Sequence, residues 1–172
     1  MRKLAGIVGA IWGLGAVVCM LGYACVRLSA VSIEAFDMSW HPWHWLVLLV
    51  NTAFMLHAEG YKGFQQGFAP RVVARARHIV NSPTALTVVL APLFCMSFFS
   101  ATRHRLLVSY GLTTMIISMV LVFEYIPQPL RGILDVGVVA GLVWGLASIG
   151  TFIARALSGR DRDVSPELPQ TA

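Results

Sequence analysis

A run of 23 residues without a charged side chain, from Leu4 to Val26, follows Arg2 and Lys3 near the start of the chain. About 20 apolar residues in a helix are enough to cross the hydrocarbon core of a bilayer. The run is longer than the apolar core of a typical secretory signal peptide, and the residues after it form a poor cleavage site. We therefore expect an uncleaved membrane-spanning helix here.

The rest of the chain has the same apolar character. Of its 172 residues, 57% are hydrophobic and only 12% are charged, whereas soluble domains are about 25% charged. This composition excludes disordered, collagen-like and disulfide-scaffold chains. It predicts one all-α membrane domain over residues 1–157. Residues 158–172 contain two prolines and alternating charges, so we expect them to form a disordered cytoplasmic tail.

Four more apolar stretches follow the first one. They run from Trp45 to Gly60, from Ala85 to Ala101, from Leu106 to Phe123 and from Ile133 to Ala154. The stretch over 85–101 has only 17 residues and carries Pro92 near its middle. Proline removes a backbone donor and breaks the hydrogen-bond ladder of a helix. Whether this stretch crosses the membrane decides the topology.

The distribution of lysine and arginine favours one topology over the other. If 85–101 crosses, the 13 basic residues divide seven to six between the two sides. If it enters and leaves on the same side, eleven are cytoplasmic and two are outside. Cytoplasmic loops carry an excess of lysine and arginine. We therefore predict four transmembrane helices plus one re-entrant or interfacial helical segment at 85–101, with both termini cytoplasmic. Five full spans is the alternative.

Small residues recur on one face of the first span and of the last. The glycines concerned are Gly9, Gly13, Gly137, Gly141 and Gly145. Without side chains at these positions, a second helix can approach closely, as is common in membrane helices. One interpretation is packing between spans of the same chain, and the other is a dimer interface. We favour packing within the chain, because a four-helix bundle needs such contacts.

Polar residues near the inner end of the second span form the best candidate site. The candidate ligand-binding residues are Asn51, His57, Glu59, Lys62 and Arg71. Ionisable groups near membrane depth are costly and often functional. Three glycines, Gly60, Gly63 and Gly67, would let a backbone approach a ligand. A lipid headgroup, a quinone head or an anionic prenyl substrate would fit there. The competing interpretation is a Glu59–Lys62 ion pair that anchors the helix end.

Pro70 is well placed to begin a basic amphipathic helix after this segment. Its apolar arc contains Val72, Val73, Ala76, Ile79 and Val80, and its polar arc contains Arg71, Arg75, Arg77 and His78. Such a helix suits the headgroup layer of a membrane. Membrane lipids are therefore the expected partner, rather than nucleic acid, despite the net charge of +5.

No metal or other cofactor is expected from the pattern of ligating residues. Glu34, Asp37, His41 and His44 have helical spacing. Pro42, however, would interrupt a helix that carried all four side chains. Haem between spans would need histidines at membrane depth on two helices, and the sequence does not offer such a pair.

Two stretches resemble a group of small bacterial inner-membrane proteins. They are E-G-Y-K-G-F-Q, which begins at Glu59 and continues to F-A-P-R, and L-A-P-L-F-C-M-S-F-F, which begins at Leu90 and continues to T-R-H-R. The resemblance implies location in the bacterial inner (plasma) membrane and no particular activity.

No catalytic motif is present in the sequence. We therefore predict an accessory membrane subunit or a hydrophobic-ligand or lipid-binding bundle, in a larger membrane complex or a homo-oligomer. One alternative is a membrane enzyme acting on a lipid-borne substrate at the cytoplasmic face, with His57 or Glu59 as acid or base. The other is a small dimeric transporter.

Overall fold

The structure is a computed structural model that describes residues 2–160 and 164–168, and these residues form helices and turns without a strand. The elements are α1 (Arg2–Phe36), α2 (Pro42–Met55), a π-helical segment (Leu56–Phe68), α3 (Ala69–Asn81), α4 (Ala85–Val89), α5 (Ala91–Cys95), α6 (Arg103–Phe123) and α7 (Leu130–Leu157). Three of them, α1, α6 and α7, are long and apolar enough to cross a membrane. The chain is an all-helical membrane protein, as its composition predicts.

The first helix is longer than the apolar run that predicts it. Its 35 residues correspond to about 52 Å at 1.5 Å per residue. It therefore continues beyond Val26, where the apolar run ends, through Ile33 to Phe36. No glycine or proline lies between Arg27 and Phe36, so nothing in the backbone stops the helix there.

The second predicted span, Trp45 to Gly60, does not form one uninterrupted α-helix. The α-helix ends at Met55, and the π-helical segment follows directly. Backbone angles at Leu56, Phe68 and Ala69 are right-handed helical. The chain is therefore helical without a break from Pro42 to Asn81 and continues past Gly60, where the apolar stretch ends. In the π-helical segment hydrogen bonds join residues five apart, so its turns are wider than those of an α-helix.

The stretch over 85–101 contains two short helices, α4 and α5, of five residues each. Each is only about 7 Å long. The break falls at Leu90, just before Ala91 and Pro92, where the backbone leaves helical angles. Both helices lie against α1, because Gly9 faces Val88 and Gly13 faces Ala91 and Cys95.

The two longest helices run antiparallel and hold the core between them. At one end of the bundle Gly132 of α7 faces Val31 and Ala35 of α1. At the other end, the Arg2 end, Gly6 of α1 faces the backbone of α3 at Ile79. Buried side chains between these ends form one apolar cluster that includes Val17, Ile79, Phe94 and Ile149. By contrast, no residue of α6 is buried.

Candidate functional site

The glycine face of α7 packs against α2 and the π-helical segment of the same chain. A Cβ at Gly137 would collide with the amide of Asn51. A Cβ at Gly141 would lie 3.4 Å from Glu59 Cβ, and one at Gly145 would lie 2.6 Å from Phe64 Cγ. Two of the five candidate ligand-binding residues, Asn51 and Glu59, therefore lie on this helix contact.

Asn51 joins α2 to α7 through backbone carbonyls. Its Nδ2 atom donates to the carbonyl oxygens of Ile133 and Leu134, at 3.2 Å each. Gly137 leaves the space that the amide needs for this approach. A side-chain hydrogen bond between membrane helices contributes about 0.6 kcal/mol on average. The geometry of Asn51 thus gives it a role in holding two helices together.

Glu59 is half-buried against Gly141. In the part of the chain that the structure describes, its carboxylate forms no ion pair and accepts no hydrogen bond. In particular, the ion pair with Lys62 that the sequence suggests is not formed. The physical reason is the π-helical backbone, whose wider turn moves residues three apart away from a shared face.

The other three candidate residues lie away from Glu59. His57 and Lys62 are exposed, and the ring of His57 stacks on Tyr61 with 6.1 Å between the ring centroids. Arg71 is half-buried in α3 and turns its guanidinium towards Gly67 of the preceding segment. The structure therefore does not bring the five residues together into one site.

A second polar cluster surrounds Arg75, which is fully buried in α3. Its guanidinium donates to the carbonyl oxygens of Phe94, Phe99 (2.9 Å), Ser100 (3.0 Å) and Pro166 (2.7 Å). It also lies over the ring of Phe94, 4.0 Å from the centroid. We call this arrangement the Arg75 cluster. It ties α3 to the segment after α5 and to the C-terminal tail.

The turn after α5 presents its carbonyls to Arg75 through two residues with left-handed backbone. Ser97 has a φ of 64° and Ser100 a φ of 49°. Residues other than glycine adopt such angles infrequently, at a cost of about 1–2 kcal/mol. Hydrogen bonds from Ser97 N to Phe94 O (2.9 Å) and from Phe98 N to Leu93 O (3.0 Å) close the turn. The bonds from Arg75 to carbonyls offset the cost of this turn.

Arg75 remains charged in these surroundings. Burial lowers its pKa to about 10, which is still well above neutral pH. His78, one turn further along α3, faces the same ring of Phe94 at 6.0 Å. Burial and the nearby Arg75 charge both lower the pKa of His78, so the neutral imidazole is favoured. The cluster thus holds one buried positive charge, which is surrounded by neutral carbonyl oxygens.

The C-terminal tail contacts the Arg75 cluster at 164–168, within the segment that the sequence predicts to be disordered. The Glu167 carboxylate forms an ion pair with Arg105 at 3.1 Å. The backbone carbonyl oxygen of Glu167 accepts a hydrogen bond from Thr102 N at 3.2 Å. Leu168 packs against the apolar core. Residues 165–168 therefore have defined contacts, while 161–163 and 169–172 of the predicted tail lie outside the described residues.

Sequence reasoning misses the Arg75 cluster. On a helical wheel Arg75 belongs to the basic arc of α3, which we expect to face lipid headgroups. One signal could have indicated burial. Arg75 lies three residues after Val72 and four before Ile79, and both of those side chains are buried, so it adjoins the apolar arc.

No protein-family model, curated protein or solved structure matches this chain. The class of protein therefore rests on fold and composition, which define an all-helical membrane protein with three helices of membrane length. Among residues 2–160 and 164–168, no group of three or more histidine, cysteine, aspartate or glutamate side chains is arranged to hold a metal ion.

Proposed function

We propose that this protein is an accessory subunit of the bacterial inner membrane, and that α6 is the surface by which it binds another membrane chain. The observation that carries this proposal is the isolation of α6 from the rest of the bundle. Helix α6 is 21 residues long and none of them is buried. In α1 and α7, one third of the most apolar window is buried.

The hydrogen bonds and the ion pair that join α6 to other described segments lie in its first half. Ser109 donates to Met96 O at 3.2 Å, and Tyr110 donates to Phe98 O at 3.0 Å. From Gly111 to Phe123, no side chain of α6 hydrogen-bonds to another described element. Thr114 and Ser118, one turn apart, present their hydroxyls on the exposed surface. Hydroxyls and small residues are the groups by which membrane helices associate, so this face suits a partner helix.

Site-specific photo-crosslinking in intact membranes tests the proposal. A photoreactive amino acid at Ser118 should form an adduct with a protein, either a different chain or a second copy of this one. The matched control is Ile11, which is 67% exposed on another membrane-length helix, α1. We expect only lipid adducts at Ile11. Lipid adducts alone at both positions would contradict a role for α6 in assembly.

Two leucine substitutions on α6 test whether the hydroxyl face makes the contact. In a chain crosslinked through Leu121, which is exposed on the same face of α6, Thr114→Leu with Ser118→Leu should remove the protein adduct, because the hydroxyls that bind the partner are lost. Ile116→Leu lies on the opposite side of the helix and should leave the adduct unchanged. Equal crosslinking in the two variants would argue against this face.

We also propose four membrane crossings, with 85–101 as a re-entrant segment and both termini cytoplasmic. Three contacts support this topology. Gly6 near the start of α1 meets the end of α3, Arg105 near the start of α6 pairs with Glu167 beyond α7, and Gly13 in the first half of α1 meets α5. The basic segments thus gather at the Arg2 end, as the positive-inside rule requires.

Cysteine labelling in intact cells tests this topology. Cysteines placed at His104 and at Arg160, in a chain without its native cysteines, should both resist a membrane-impermeant thiol reagent. Each should react once the cells are opened, because four crossings put both positions inside. A cysteine at Asp37 should be labelled from outside. External labelling at His104 would rule out the four-span topology.

A further inference from the structure

Three hydrogen-bond donors contact two neighbouring residues of the C-terminal tail. They are Nη1 of Arg75, Nε of Arg105 and the backbone N of Thr102. Their acceptors are three oxygens of two consecutive tail residues, namely Pro166 O, Glu167 O and Glu167 Oε2. Two guanidinium groups and a backbone amide therefore converge on a small group of oxygen atoms, one of which carries a negative charge.

Two of the three donors, those of Arg75 and Thr102, are held in place by contacts other than those with the tail. Arg75 is fully buried and keeps its bonds to the carbonyls of Phe94, Phe99 and Ser100. Thr102 directly precedes α6. With the tail in place, the side chain of Arg105 is 13% exposed. Arg75 and Thr102 are thus positioned by the rest of the fold, which lowers the cost of binding an acceptor.

The tail is the weaker half of this contact. The Glu167 side chain is 38% exposed, so water competes for its ion pair with Arg105. Its backbone has a φ of 49°, a left-handed conformation that disfavours this bound form. A separate acceptor with the same oxygens would bind these donors without the strained backbone.

We propose that Arg75, Arg105 and Thr102 form a binding site for a phosphate group, and that the tail segment 164–168 occupies this site as an internal competitor. A phosphate offers several charged oxygens around one centre. Arginine forks and backbone amides are the donors that bind such a group in proteins. The guanidinium of Arg75, whose hydrogen-bond acceptors are all neutral carbonyl oxygens, would gain a charged acceptor. The site is separate from the α6 surface beyond Gly111.

The phosphate can come from a lipid headgroup or from a soluble phosphate ester. A lipid headgroup would be close to this site, because the site lies where the membrane-length helix α6 begins. Anionic headgroups attract clustered arginine side chains. Both sources share the chemistry that the donors recognise. The experiment therefore includes one probe for each source.

Release of the tail tests the proposal in the full-length protein. Glu167→Lys places a third positive charge beside Arg105 and should expel the tail. We expect this variant to retain about tenfold more phosphatidylglycerol than the wild type in native mass spectrometry, because the competent fraction of the site rises. Inorganic phosphate, added in a second arm, should displace the lipid if the phosphate group alone is recognised. Lipid retention that resists phosphate would assign the site to the headgroup in its membrane.

Two further variants separate a site from a general effect of charge. Glu124→Lys makes the same change of charge at the opposite end of α6 and should give no gain. Arg105→Gln, combined with Glu167→Lys, should remove the gain while thermal unfolding shows a folded chain. The proposal is overturned if Glu167→Lys and Glu124→Lys retain equal amounts of lipid, or if the gain survives Arg105→Gln.

Discussion

Gly132→Ala is expected to lower the free energy of unfolding by about 1–3 kcal/mol, the usual cost of overpacking a tight contact. The added Cβ would collide with the Cβ of Ala35 on α1 and would lie 3.0 Å from the carbonyl oxygen of Val31. Neither neighbour is the mobile end of a long side chain, so α1 and α7 must move apart. Chemical denaturation in mixed micelles measures the loss.

Two other glycines of α7 provide matched controls for this substitution. A Cβ at Gly150 meets nothing within 4 Å, and one at Gly141 meets Glu59 Cβ at an ordinary 3.4 Å. Alanine is the better helix former by about 1 kcal/mol. Gly150→Ala and Gly141→Ala should therefore leave stability unchanged or raise it. A similar loss for all three variants would mean that the Gly132 contact is not special.

The glycine spacing predicts which face of α7 is close-packed, but not which glycine is critical. Gly137, Gly141 and Gly145 look equivalent in the sequence. Of the three, Gly141 would best tolerate a side chain, because its nearest neighbour is the Cβ of Glu59. The other two face an amide and an aromatic ring. Gly132 and Gly6, which also form tight contacts, lie outside the pattern. The local fit depends on the axial offset between two helices, which a single sequence does not encode.

The stretch from Gly60 to Gly67 shows a second limit of sequence reasoning. Three glycines and several polar residues favour a loop, yet this stretch is helical. Packing against α7 explains the difference: Gly60 makes room for Trp144, whose Nε1 donates to Gln65 at 2.8 Å. Such contacts between distant segments outweigh local propensity.

In the sequence, polar residues are candidates for a site when they lie deep in an apolar run. This criterion selects Asn51 and Glu59 but not Arg75. The environment of Arg75 is built from carbonyls 19 to 91 residues away in the chain. Two of those carbonyls, at Phe99 and Ser100, lie in the turn that contains the left-handed residues Ser97 and Ser100. Every residue has a backbone carbonyl, so a site built from backbone carbonyls has no characteristic pattern of side chains in the sequence.

Arg75→Met is expected to destabilise the protein by about 3 kcal/mol, because each buried carbonyl left without its donor costs about 1–3 kcal/mol. Methionine also relieves the desolvation of a buried charge, and this effect acts in the opposite direction. We expect loss because the carbonyls remain buried when the cation is removed. Arg75→Lys, which keeps the charge without the forked donors, should fall between methionine and wild type.

Two measurements distinguish these effects at the Arg75 cluster. Denaturation in micelles gives the change in stability, with Arg27→Met as the control because Arg27 is exposed on α1. Limited trypsin cleavage after Arg103 reports on the turn that Arg75 holds, and it should accelerate in Arg75→Met but not in Arg27→Met. If Arg75→Met is as stable as wild type and as resistant to trypsin, desolvation outweighs the hydrogen bonds. The guanidinium would then not be what holds the turn after α5 in its left-handed conformation.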